Sequence, residues 1–234
     1  MGPKTEVDSS IASRWGGALL AIGAIAYAVT VVLFVTIYGL PKGTGASGEI
    51  TLANRVAHYQ AHQTLAQGLW VAELVAAVLY AVAGFILQHR RRVRRHLPAC
   101  VVWSIVSLGA VALVLMYPLM LGGLPTATSS SDLALFGAIN SIASFLFNMG
   151  NVLVSFGLSG AFLVEAKPTG SVPGWLSLAG GVLFLVIGLA AIGLIAGVGA
   201  LHALAPLGLL GYLLAAYLGY VIWRPQPREK TPAS

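Results

Sequence analysis

The chain has 234 residues, of which 58% are hydrophobic and only 9% charged. A water-soluble domain carries about 25% charged residues. With a mean hydropathy of +0.87, this composition excludes a soluble globular fold and points to an integral membrane protein.

A membrane-crossing helix needs about 20 successive apolar residues. Residues 1–14 are polar and read as a loose cytoplasmic segment. The first span is expected at 16–39, too long for the roughly 7–15-residue apolar core of a cleavable signal. A loop at 40–64 leads to a second span at 65–87, whose one charged residue is Glu73. Next comes the basic run "HRRRVRRH" (89–96), then a third span at 99–121 and a fourth at 139–164. Residues 168–223 contain no Asp, Glu, Lys or Arg, a run too long for one helix. Glycine and proline break it near "GVGALHALAP" (197–206). That leaves spans at 175–197 and 201–223, and a cytoplasmic tail at 225–234. The expected architecture is all-α: one polytopic transmembrane bundle of six helices within 15–224, both termini cytoplasmic.

The basic residues set the orientation. Lys and Arg concentrate in cytoplasmic loops. Eleven of the 13 fall inside when the amino terminus is placed there, leaving Lys42 and Arg55 outside. Arg90, Arg91, Arg92, Arg94 and Arg95 are therefore read as a topology anchor, with anionic lipid head groups as their contacts. They are not read as a nucleic-acid site. The single cysteine, Cys100, excludes an internal disulfide and a cysteine-cluster metal site.

Glu73 is the acidic residue inside a span, and such a group marks a functional position or a specific pair. The fourth span carries Asn140, Ser144, Asn148, Asn151, Ser155 and Ser159, spaced by three and four residues on one helix face. Asn148 falls at nearly the depth of Glu73. A polar seam is expected there, with Glu73 hydrogen-bonded to Asn148 or Asn151. It serves as glue between helices, as a solute or proton pathway, or as a site for the head group of a lipid or apolar ligand.

His58 and His62 are four apart and share a face if their segment is helical. With His202, Glu49 and Asp132 on the same side, they could hold zinc, copper or a haem. "FGLSGAF" (156–162) resembles the GxSG of rhomboid proteases. Ser159 and His202 are expected at opposite ends of their helices, however, out of hydrogen-bond reach. Gly193, Gly197, Gly208, Gly211 and Gly219 let helices approach closely or face a partner. Trp15, Trp70, Trp175, Trp223 and Tyr38 lie near span ends, as in an aromatic belt. No Walker A loop, GxGxxG or HExxH is present. An ATP- or dinucleotide-driven enzyme is not expected, and neither is a resident cofactor beyond the metal or haem alternative.

Three stretches carry a family resemblance: "IASRWGGALLAIGAI" (11–25), "EAKPTGSVPGWLSLAGGVL" (165–183) and "LAPLGLLGYLLAAYLGYVIWRP" (204–225). They resemble a bacterial family of six-helix membrane proteins known only as a domain of unknown function. Members often carry an acidic residue in the last helix, where this chain has Ala215 and Ala216. The resemblance implies a six-helix fold in a bacterial inner membrane, and no activity. The function expected is a non-enzymatic membrane protein that binds or passes a small solute or lipid through the Glu73 seam. Two alternatives stand beside it: an accessory subunit that packs its glycine faces on another subunit or on itself, and a metal- or haem-binding redox protein.

Overall fold

A computed structural model describes residues 3–39, 50–93, 96–169 and 173–224. Among them every regular element is helical. In hydrocarbon a backbone N–H or C=O has no water to bond and must find its partner within its own segment. Helix α1 (Pro3–Leu33) continues through a π turn, Phe34–Tyr38. The short α2 (Leu52–Ala61) precedes α3 (Gln63–Val93). Then α4 (Leu97–Pro118), a second π turn (Leu119–Gly123) and α5 (Leu124–Ser129) form one continuous stretch. They are followed by α6 (Leu133–Thr169), α7 (Gly174–Ile195), a 3-10 stretch (Gly199–Leu204) and α8 (Ala205–Trp223). Among the described residues six helical stretches are long and apolar enough to cross a membrane. The chain is an all-α, multi-pass membrane protein.

Local chemistry sets the breaks. Gly39 takes φ +69° and donates its N–H to the Phe34 carbonyl, closing α1. Glycine adopts that left-handed conformation without penalty. Thr51 and Asn54 form a capping box at the start of α2. Pro98 and Pro206 sit in the first turns of α4 and α8, where an N–H would lack a partner anyway. Pro118 lies inside a span, and the helix re-forms through the wider turn of Leu119–Gly123. The third span therefore reaches Ser129 rather than stopping at 121.

Other boundaries also shift outward. α1 begins at Pro3, inside the segment expected to be loose. α3 enters the arginine run, and α6 extends over 37 residues, so Glu165 is helical rather than in a loop. At 1.5 Å per residue α6 is about 55 Å long, well beyond a hydrocarbon core of about 30 Å.

The spans pack in the order α7, α6, α4, α3, α1, α8, and α8 touches α7 only lightly. Arg14 Nε donates to the Trp223 carbonyl at 3.3 Å, so the first and last spans share one end, called here the terminal end. The opposite end carries α2, α5 and the 3-10 stretch.

The two halves pack differently. In the terminal half, backbones touch. A Cβ on Gly17 would lie 2.6 Å from the Gly219 carbonyl, and one on Gly219 2.6 Å from the Ala21 nitrogen. A Cβ on Gly109 would lie 2.6 Å from the Val154 nitrogen. Small residues permit this closeness. In the α2 half, a Cβ on Gly68, Gly122 or Gly208 would meet nothing within 4 Å. Gly193 faces Leu201, Gly211 faces Ile187 and Phe184, and Gly219 faces α1. These three meet neighbours inside the bundle, whereas a Cβ on Gly197, like one on Gly208, would meet nothing within 4 Å. The outward surface stays apolar, as at Ile22, Leu108, Leu115 and Leu178. Such a belt suits lipid rather than water.

Candidate functional site

The open half holds a half-open cavity of about 720 Å³. That lies within the range of small-molecule sites, about 300–1,000 Å³. All six spans contribute to its wall, with Arg55 from α2 and Leu201 and Leu204 from the 3-10 stretch.

The structure brings most of the expected seam together. Glu73, Asn140, Ser144, Asn148 and Asn151 all line this cavity. Ser155 does not. It is buried against Gly188 of α7, and Ser159 donates to the Gly181 carbonyl at 2.7 Å. The polar stripe runs the length of α6 while the cavity occupies one half of the bundle. Its upper part therefore faces the cavity, and its lower part holds α6 to α7. Ser159 is thus a packing residue.

The expected bond between Glu73 and an asparagine is not formed. Asn148 Nδ2 donates to the Ser144 carbonyl at 3.0 Å, and Asn151 Nδ2 to the Phe147 carbonyl at 2.8 Å. Each amide bonds a carbonyl of its own helix. Glu73 Oε2 instead accepts from Tyr117 Oη at 3.5 Å. Tyr117 Oη lies 3.3 Å from Tyr27 Oη. Tyr27 stacks on Tyr212 with ring centroids 5.2 Å apart and meets Tyr80 edge-on at 5.8 Å. Four tyrosines from α1, α3, α4 and α8 thus make a floor between the open and closed halves. Sequence reasoning missed them because they come one from each of four helices, and no spacing along the chain links them. The available signal was that a mid-span tyrosine needs a partner for its hydroxyl.

Trp70 also departs from expectation. Trp15, Trp175 and Trp223 are exposed at the terminal end. Trp70 is buried, lines the cavity and stacks on Tyr59 at 5.6 Å. Burial, and then the nearby Tyr38, push the Tyr59 phenol up to about 12. It stays neutral under ordinary conditions.

His58 and His62 do share a face. Their ring centroids are 4.7 Å apart, and Tyr38 meets both edge-on. His62 Nδ1 lies 3.0 Å from the His58 carbonyl, which places the hydrogen on Nδ1. His58 Nε2 is buried without a partner among the described residues. His202 belongs to the 3-10 stretch at this end, but its side chain is outside the described set, as is Glu49. Asp132 accepts from the Leu135 N–H and caps α6. Among the described residues, no three His, Cys, Asp or Glu side chains converge.

At the terminal end Arg91 does not face lipid head groups. Its side chain is buried, with Nε donating to Glu165 Oε1 at 3.0 Å and Nη2 to Oε2. Trp103 Nε1 donates to the same Oε1 at 3.0 Å. α3 and α6 both run past their expected ends, and that overrun lets the two charges meet. Glu165 is accordingly a second acidic residue within a spanning helix. Arg90 lies beside Arg91 on α3. The Arg92 side chain, Arg94 and Arg95 lie outside the described residues.

Comparison with protein-family models, curated proteins and solved structures finds no match. What the protein does has to be read from the cavity and its walls.

Proposed function

We propose that this protein binds a small, largely apolar solute or lipid in the cavity of its α2 half and releases it unchanged, without catalysis. The observation that supports the reading is the division of the bundle. One half is sealed by backbone contact, and the other holds a large space whose mainly apolar wall carries Glu73, Arg55, Ser144 and three asparagines. Apolar sites with a few placed polar groups are the common form of small-molecule pocket. A closed terminal half favours a binding site entered from one side over an open pore.

A neutral fluorescent naphthylamine tests this in detergent solution. Saturable binding is expected, and Gly208→Phe should weaken it at least tenfold while the melting temperature holds. A Cβ at Gly208 meets nothing within 4 Å, so the ring has only the cavity to fill. Unchanged binding in that variant would sink the reading.

The excess of Lys and Arg at the terminal end supports a cytoplasmic position for it, and our reading sets the protein in a bacterial inner membrane with the cavity on the outer side. A Ser130→Cys change in a Cys100→Ser background should react with an impermeant maleimide in intact cells, because Ser130 is exposed at the α2 end. Labelling only after permeabilisation would invert the topology.

A further inference from the structure

The two buried acidic residues are treated differently. Glu165 is matched by Arg91 and the Trp103 indole N–H. Glu73 is also buried, yet its one hydrogen-bond donor among the described residues is Tyr117, at 3.5 Å. Among the described residues Glu73 forms no ion pair. Arg55 lines the same cavity but stays exposed on α2 and does not pair with it. A carboxyl group in an apolar site is costly unless its charge is matched. Among the described residues no basic side chain supplies that match.

The walls around it suit one class of partner. Phe34, Trp70, Phe147 and Tyr212 line the cavity. Aromatic faces attract cations, more strongly where water is excluded. Ser144, Asn148 and Asn151 add polar surface without charge. We propose that the cavity takes a lipophilic organic cation, an ammonium or phosphonium group carried on apolar substituents, with Glu73 as counter-ion and the aromatic rings as its cage. This rests on the cavity being a ligand site and adds the sign of the ligand's charge.

A matched pair of probes tests the sign. Tetraphenylphosphonium and tetraphenylborate have nearly the same size and shape and opposite charge. Triphenylphosphine oxide supplies a neutral relative. Binding to purified protein is measured above protein-free micelles. Tetraphenylphosphonium should bind saturably and at least tenfold tighter than tetraphenylborate. Glu73→Gln should remove that preference, and Glu73→Asp should keep part of it. Equal or tighter binding of the borate overturns the inference, as does an unchanged preference in Glu73→Gln. The comparison on the unmodified protein decides even if a variant does not fold. Failure of all three probes would count against the cavity as a ligand site altogether. Binding of the neutral or anionic probe alone would overturn only the cation. Repeating the titration in nanodiscs with and without phosphatidylethanolamine separates the two sources of such a group. Competition by that lipid identifies a head-group ammonium as the occupant, and no competition identifies a free solute. Either result upholds the preference for a cation.

Discussion

Replacing Glu165 by Ala should cost about 3–5 kcal/mol of stability, the usual loss when one partner of a buried ion pair is removed. The change strands the Arg91 guanidinium and the Trp103 indole N–H in a site where both are buried. Arg91→Ala should cost a similar amount, because Glu165 then keeps only the indole among these partners. The double change Arg91→Met, Glu165→Met should cost far less than the two single changes together. It removes both charges and leaves apolar volume in their place. Reversible unfolding in mixed micelles reads all three. Single losses below about 1 kcal/mol would place the pair with exposed surface ion pairs and remove it as the clasp between α3 and α6.

The second large effect is expected where α1 meets α8. Gly17 and Gly219 are reciprocal: each lies where a Cβ would enter the other's backbone. Backbone cannot move aside as a flexible side chain can. Gly219→Ala should therefore destabilise by about 1–3 kcal/mol, the usual cost of overpacking. Gly219→Leu should prevent the closed bundle from forming. Gly208→Ala, on the same helix, should be neutral or stabilising by roughly 0.5–1 kcal/mol, because alanine is the better helix former and the site is open. Thermal unfolding of the three variants in one detergent makes the comparison. Equal behaviour of Gly208→Ala and Gly219→Ala would contradict a bundle sealed in one half and open in the other.

Much of this was legible before any coordinates. Charge-free runs and punctuating glycines gave six spans in the right order, because hydrocarbon forces helices on any segment that crosses it. The seam was also legible in part. Asn140, Ser144, Asn148 and Asn151 recur at helical spacing, and Glu73 announced itself by its cost. The same periodicity carried Ser155 into the expected site, since spacing along a helix says which residues share a face but not which neighbour they meet.

The sequence by itself determined the class of fold and the acidic residue at its centre. Composition and periodicity are local properties, and a bilayer converts them directly into helices. Only the tertiary structure decided the rest. Arg91 meets Glu165 because α3 and α6 run past their expected ends. Trp70 passed for an interfacial belt residue until the packing of α2 and α3 set it against Tyr59 in the cavity wall. The tyrosine floor took one residue from each of four helices. All three depend on the lateral order of the helices and on their relative depth. Those are set by contacts between residues far apart in the chain, and no local pattern records them.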